Sequence, residues 1–142
     1  MAIKTAACTS FKVALLSGEM DFSANTVQVF KLALYTSAAT LGAETTAYTT
    51  TDEVPTGGGY LAGGKVVTIS SPAASSGNKA VVELGDVTWA SSTISTRGAL
   101  LYSTSAGNPS VLSLNFIADQ VTSNGNFIVK LQDAIGDILS LN

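Results

Sequence analysis

Val27-Gln-Val-Phe30-Lys-Leu-Ala-Leu-Tyr35-Thr36 alternates along its length. Phe30, Leu32 and Leu34 fall on one side of an extended chain, and Val29, Lys31, Ala33 and Tyr35 on the other. A period of two is the signature of a β-strand, because successive Cβ atoms leave the pleat on opposite faces. The same reading predicts further short strands downstream: Lys65–Ile69, Ala80–Ala90 with a bend at Gly85-Asp86, Arg97–Tyr102 and Val111–Ala118. Turn-forming residues separate them, with Pro72 to Asn78 and Ser105 to Pro109 read as turns. Thr122-Ser-Asn124-Gly125-Asn126 is the sharpest local signal, since Asn-Gly is the preferred pair of a type I′ hairpin. It predicts that Val111–Val121 pairs antiparallel with Phe127–Leu131. Ile135 to Leu141 reads as a last strand or an edge-lying tail.

Upstream of the first strand the pattern is helical. Thr9 or Ser10 can cap a short helix over about residues 9–17. Phe11, Leu15 and Leu16 share a face, and Gly18 suits the C′ position. So short an amphipathic helix needs a surface to lie on, and its own domain is the expected one. The Met1–Gly18 stretch resembles a signal peptide only faintly, because Lys12 and several hydroxyls interrupt its apolar part, and no cleaved signal is expected.

With seven or eight short strands and one helix, the expected fold is all-β: a single-domain antiparallel β-sandwich over residues 1–142 with jelly-roll wiring. An immunoglobulin-like sandwich is the alternative. At 142 residues the chain has the size of one domain. The one cysteine, Cys8, allows no intrachain disulfide and reads as a small packing residue.

Between the first two strands lies residues 37–64, turn-rich and poor in aliphatic residues. It is too long for an ordinary connection, and such loops commonly make contacts. Tyr48 and Tyr60 on this loop, with Phe11 and Leu15 on the helix, are the candidate interface residues. Aromatic side chains on loops suit interface anchors.

Composition narrows the chemistry. Charged residues are only 12% of the chain, where about 25% is usual. The net charge is −3 and the seven basic residues are scattered. Nucleic-acid binding wants a basic footprint and membrane-surface helices want a basic face, so neither partner is expected. No apolar stretch has the length of a membrane span. With no histidine, imidazole bases, Ser-His-Asp triads and His metal sites drop out. Gly59-Tyr-Leu-Ala-Gly-Gly64-Lys65 has the spacing of a phosphate-binding loop. Val66 stands where the hydroxyl should be, however, and the lysine leads into a strand rather than a helix. Its glycines read instead as turn formers. Asp52-Glu53 and Glu83/Asp86 lack the separation across a cleft that a glycosidase pair needs. Trp89, between apolar neighbours, reads as core rather than as a sugar platform. No catalytic residue, metal or cofactor is expected, and no enzyme.

The residues also carry a likeness. Phe30-Lys-Leu-Ala-Leu-Tyr-Thr-Ser-Ala-Ala-Thr-Leu, the run from Thr45 through Asp52-Glu-Val-Pro-Thr-Gly-Gly-Gly-Tyr60, and Ala62-Gly-Gly-Lys65 resemble small structural proteins of tailed bacteriophages. So does Asp86-Val-Thr-Trp89 continuing to Thr96-Arg-Gly-Ala-Leu-Leu-Tyr102. The resemblance runs from Ser10-Phe-Lys12 to the Asn124-Gly125 turn. It is closest to the small jelly-roll members that act as capsid cement, or decoration, proteins. It implies a subunit on the outer capsid surface of the virion, self-associated as a homodimer or homotrimer. Such a subunit bridges major capsid proteins and stabilises the shell. A tail, collar or fibre-associated subunit is the nearest alternative, and a carbohydrate-binding β-sandwich module the next.

Overall fold

The computed structural model describes residues 2–23 and 28–131. Its elements are β1 (Ala6–Ala7), α1 (Thr9–Leu16), β2 (Phe30–Tyr35), β3 (Lys65–Val67), β4 (Ile69–Ser76), β5 (Lys79–Leu84), β6 (Val87–Ser92), β7 (Ser95–Ser103), β8 (Ser110–Val121) and β9 (Gly125–Val129). Among the described residues the fold is all-β with one short helix, as the strand patterns predict. A five-stranded sheet runs in the order β1-β8-β7-β2-β3, and two ribbons, β4-β5 and β6-β9, accompany it. Every strand pairing is antiparallel.

β2 is the strand that the alternating sequence announces, and it is covered on both faces. Leu32, Ala33, Leu34 and Tyr35 are all fully buried, and only Lys31 is half-exposed. It pairs with β7 along its whole length, Leu32 opposite Leu101 and Ala33 opposite Leu100. The buried apolar residues form one cluster, to which the sheet gives Leu32, Leu101 and Leu112 and the ribbons give Leu84, Trp89 and Phe127. Trp89 sits between Tyr60 and Phe127, with ring centroids 6.0 Å from each. It is a core residue, as its apolar neighbours predict.

The helix lies on its own domain. Phe11 and Ala14 are buried. Phe11 meets Phe22 edge-on, and Phe22 stacks on Phe30 at 4.6 Å. Leu16 does not join that face: it is 92% exposed, while Leu15 is half-buried against the core. The cap also differs from expectation. Cys8 holds the N-cap position without a side-chain cap bond, and the Ser10 hydroxyl turns instead toward Thr45 and Ser110. Gly18 follows the helix at φ +73°, as a C′ glycine should.

Four boundaries need correction. Pro72 to Asn78 is not all turn: β4 runs through to Ser76, leaving Gly77-Asn78 as the whole connection. Ser and Ala look like loop residues, but a partner strand supplies the pairing that their own propensity does not. Lys65–Ile69 is divided at Thr68, because Lys65–Val67 pairs with β2 whereas Ile69 begins the pairing with β5. Ala80–Ala90 is two strands, since Gly85-Asp86 breaks the chain between two ribbons rather than bending one strand. The Asn124-Gly125 turn does not close a hairpin either. β9 pairs with β6, Phe127 opposite Trp89, and not with β8. Asn124 alone has positive φ (51°), while a type I′ turn needs two such residues. Thr122 fixes the crossing, its hydroxyl accepting the Ile94 N–H and lying 3.1 Å from the Ser92 hydroxyl. The expected strand at Ile135 to Leu141, and Val27 at the head of the first one, lie outside the described residues.

Candidate functional site

The long segment 37–64 is built into the sheet. Beyond Leu32 the edge of β2 has no β3 residue opposite it. Residues 52–54 take over: Thr36 N–H donates to the Asp52 carbonyl and Val54 N–H to the Leu34 carbonyl, with Glu53 bridging Tyr35. One edge donor remains, the Leu34 N–H, and it is accepted by the Tyr60 hydroxyl at 2.9 Å. That hydroxyl in turn donates to Glu53 Oε1 at 2.6 Å.

Glu53 is therefore the centre of a knot. The Gly63 N–H donates to the same Oε1 at 2.6 Å, and the Tyr48 hydroxyl to Oε2 at 2.6 Å. Tyr102 of β7 stacks on Tyr48 with centroids 4.6 Å apart and donates to the Gly63 carbonyl. Tyr35 donates to the Thr49 carbonyl. All four tyrosines of the chain thus hold one segment to one sheet. A buried carboxylate is tolerable only when donors saturate it, and donors to a charge are short and strong. Burial pushes all four phenols above their ordinary range, and the carboxylate beside them adds to the shift. Here a carboxylate does structural work, and it lines neither the groove beside Thr36 and Asp119 nor that beside Lys4 and Glu44.

Glycine makes the knot possible at one point. A Cβ on Gly64 would stand 1.8 Å from the Leu32 carbonyl oxygen, and its φ is +79°. The phosphate-loop spacing is thus a close approach of two backbones. Lys65 leads into β3 and gives its ammonium to the Thr88 carbonyl at 2.6 Å.

The four interface candidates are placed by these contacts. Tyr60 is 2% and Phe11 4% exposed, so both lie inside the domain, where their rings gain more from burial than a surface position would give. Tyr48 and Leu15 are half-buried against the same core. Cys8 is fully buried, and burial pushes its thiol up. The structure brings Tyr48 and Tyr60 together on Glu53, a meeting that local spacing does not signal because Tyr102 and Gly63 complete it from elsewhere. The carboxylates behave differently from one another: Glu53 is buried, whereas Asp52, Glu83 and Asp86 are exposed. Among the described residues no cluster of three metal-ligating side chains exists and no helix is long and apolar enough to cross a membrane.

Two open grooves are lined by described residues. One, of about 390 Å³, is lined by Thr36, Ser37, Pro55, Thr93, Ser95 and Asp119 among others; the second, about 550 Å³, by residues including Lys4, Glu44, Thr45 and Thr49. Neither has an aromatic wall on which a sugar ring could stack.

The exterior holds what sequence reading missed. Leu16 and Val13 stand out from the helix, Leu61 from the long segment, and Ile117 and Val121 from β8. Ile117 is the sharpest case. It is 84% exposed and held at φ +72°, a region in which a β-branched residue is strained. β8 bulges there against β7, with Gly98 opposite Asn115 and then Thr96 opposite Gln120. The Asn115 side chain accepts the Ile117 N–H at 2.8 Å, and Arg97 pairs with Asp119 at 2.7 Å on the flank. The bulge is thus fixed by its own contacts while its apolar tip faces water. No protein-family model, no curated protein and no solved structure matches the chain.

Proposed function

We propose that the chain is a structural subunit of a tailed-phage virion, a capsid decoration protein that binds the outer face of the shell and bridges major capsid proteins. In fold terms we read the five-stranded sheet and the ribbons as the layers of a jelly-roll sandwich. The role is structural rather than catalytic. One observation carries the reading: large apolar side chains stand exposed on a weakly charged exterior, most plainly Ile117, displayed on a bulge at the cost of backbone strain. Strain of this kind persists where a function uses the displayed residue. A surface polar through hydroxyls rather than charges is also easily desolvated on contact. A subunit that binds only the mature shell stabilises it by mass action, about 2.7 kcal/mol per site at a hundred times Kd.

The test is copy number in purified particles, by quantitative mass spectrometry against the major capsid protein, together with Ile117→Asp. A fixed simple ratio to the capsid subunit, lost for a folded Ile117→Asp chain, is the expected result. A few copies per particle would move the chain to the tail or collar. Absence from particles would end the virion reading.

A further inference from the structure

Asn124-Gly125 does not close a hairpin, and the backbone does not require its glycine. Gly125 is not among the glycines held at positive φ, and an added Cβ there would meet only the Ser123 carbonyl oxygen, at an ordinary 3.9 Å. An alanine would fit. What glycine adds at this position is chemical: a peptide nitrogen with no Cβ beside it is the least hindered nucleophile that a backbone offers. Asn124, which precedes it, is exposed. Its backbone N–H donates to Thr93 Oγ1 at 3.1 Å, but its side-chain amide makes no hydrogen bond among the described residues. The other described asparagines each lack part of this arrangement. Asn108 precedes Pro109, whose nitrogen has no proton to lose. The side chains of Asn115 and Asn126 are held by the N–H groups of Ile117 and Ser91. Asn78 is exposed, but Lys79 follows it and sets a Cβ beside the attacking nitrogen.

We infer that Asn124 is a self-modification site, where the Gly125 nitrogen converts the side-chain amide to a cyclic imide and water opens that ring to aspartate or isoaspartate. Water is the only reagent the step needs. The Gly125 nitrogen loses its proton and attacks Cγ of Asn124. The N–Cγ bond forms, the Cγ–Nδ2 bond breaks, and Nδ2 leaves with that proton as ammonia. Water then adds to one of the two ring carbonyls, its hydroxyl going to carbon and its proton to nitrogen. Breaking the new N–Cγ bond leaves aspartate. Breaking the original peptide C–N bond leaves isoaspartate, whose backbone runs through the side chain and is longer by one methylene. Either product is negative where the chain was neutral. The change falls at the head of β9, where Gly125 faces Ser92 and the Ser92 hydroxyl donates to the Gly125 carbonyl at 3.0 Å. The pairing is already shifted between Trp89 and Ser92, so this end of the ribbon opens most easily to the attack. Asn124 also rests on Thr93, whose N–H donates to the Gly58 carbonyl of the long segment at 2.7 Å. The added methylene therefore works against a junction of β6, β9 and residues 37–64.

This chemistry is independent of what surface the protein coats. The experiment ages the folded full chain near neutral pH in water enriched in heavy oxygen, and follows the peptides of Asn124 and Asn78 by mass mapping. Heavy oxygen should enter at Asn124 about tenfold faster or more than at Asn78, where a Cβ crowds the nitrogen. Chromatography should resolve the Asn124 product into two forms of equal mass, aspartate and isoaspartate. Gly125→Ala should slow the conversion about tenfold or more without disturbing the fold, which Trp89 fluorescence and far-ultraviolet dichroism confirm. The isoaspartyl form should unfold at lower urea than Asn124→Asp, which carries the charge without the methylene. Conversion of Asn78 as fast as Asn124 overturns the inference. So does a folded Gly125→Ala chain that converts at the wild-type rate, or a product that is aspartate alone, which is direct hydrolysis of the amide. Conversion in urea with none in the folded protein overturns it too, because pairing with Ser92 then keeps the nitrogen from Cγ.

Discussion

Residues 37–64 and residues 69–84 are neighbours in sequence and opposites in construction. The first has almost no regular secondary structure, yet a buried carboxylate, four tyrosines and edge backbone bonds fasten it to β2 and β7. The second is a regular antiparallel ribbon whose strands, among the described residues, pair only with each other. Regularity is therefore a poor guide to how firmly a segment belongs to a fold. What fastens a segment is burial and the satisfaction of its polar groups by distant partners. The long segment behaves as an integral piece of the core, and the ribbon as a separately paired unit.

The largest effect should come from the centre of the knot. Glu53→Ala leaves the Tyr48 and Tyr60 hydroxyls and the Gly63 N–H without their acceptor. Buried donors left unpaired are costly, and roughly 3–5 kcal/mol of stability should go. Glu83→Ala, at an exposed position of the ribbon, should cost only about 1 kcal/mol, the typical effect of a single substitution. Urea unfolding followed by Trp89 fluorescence measures both. Equal costs would mean that the long segment is no better integrated than the ribbon.

A matched pair of glycines sharpens the contrast with less energy at stake. Gly64 and Gly77 both have positive φ, at +79° and +60°. An added Cβ at Gly64 collides with the Leu32 carbonyl, whereas at Gly77 it meets nothing within 4 Å. Gly77→Ala should therefore cost about 1 kcal/mol, the backbone penalty alone. Gly64→Ala must also push the segment's backbone away from β2 and should cost roughly 3 kcal/mol. The same urea midpoints decide it, and a difference below about 0.5 kcal/mol would mean that the backbone contact at Leu32 yields easily.

These residues also explain what the amino-acid order discloses. β2 and Gly18 are legible because alternation and the C′ conformation are local facts. Gly64 is legible as a turn former for the same reason, though its collision with Leu32 is not. The Asn124-Gly125 turn misleads because turn chemistry states that the chain bends without stating which strand waits beyond. Phe127 finds Trp89 on β6, a choice made by packing. β4 is hidden because Ser, Ala and Pro carry no strand signal of their own. Glu53 is hidden more deeply still. It sits in a Thr-Asp-Glu-Val-Pro run that reads as solvated loop, and its donors lie up to Gly63 along the chain, with Tyr102 bracing them from β7. Ile117 has no signal either, since a strained, exposed isoleucine reads as an ordinary strand residue.

The smallest effect, invisible at neutral pH, separates the two regions by titration. All four tyrosines serve the long segment's attachment and none lies in the ribbon. Burial, which is the first cause in each case, raises their folded pKa values; hydrogen bonding to Glu53 adds to the rise at Tyr48 and Tyr60. In the unfolded chain a tyrosine loses its proton near pH 10. Above that pH the unfolded state binds fewer protons than the folded one, so stability must fall as pH rises. Below about pH 9 both states are protonated and these groups contribute no slope. Urea midpoints should thus be flat through pH 8–9 and decline through about pH 10–11, with tyrosinate absorbance appearing together with unfolding. Tyr48→Phe removes one phenol and one donor to Glu53, so its alkaline slope should be shallower, while Lys79→Gln on the ribbon leaves the phenolic contribution to the slope unchanged. Tyrosinate forming near pH 10 in the still-folded protein would mean that water reaches the knot. The long segment would then open as readily as the ribbon, and the contrast between the two would fail at its chemical centre.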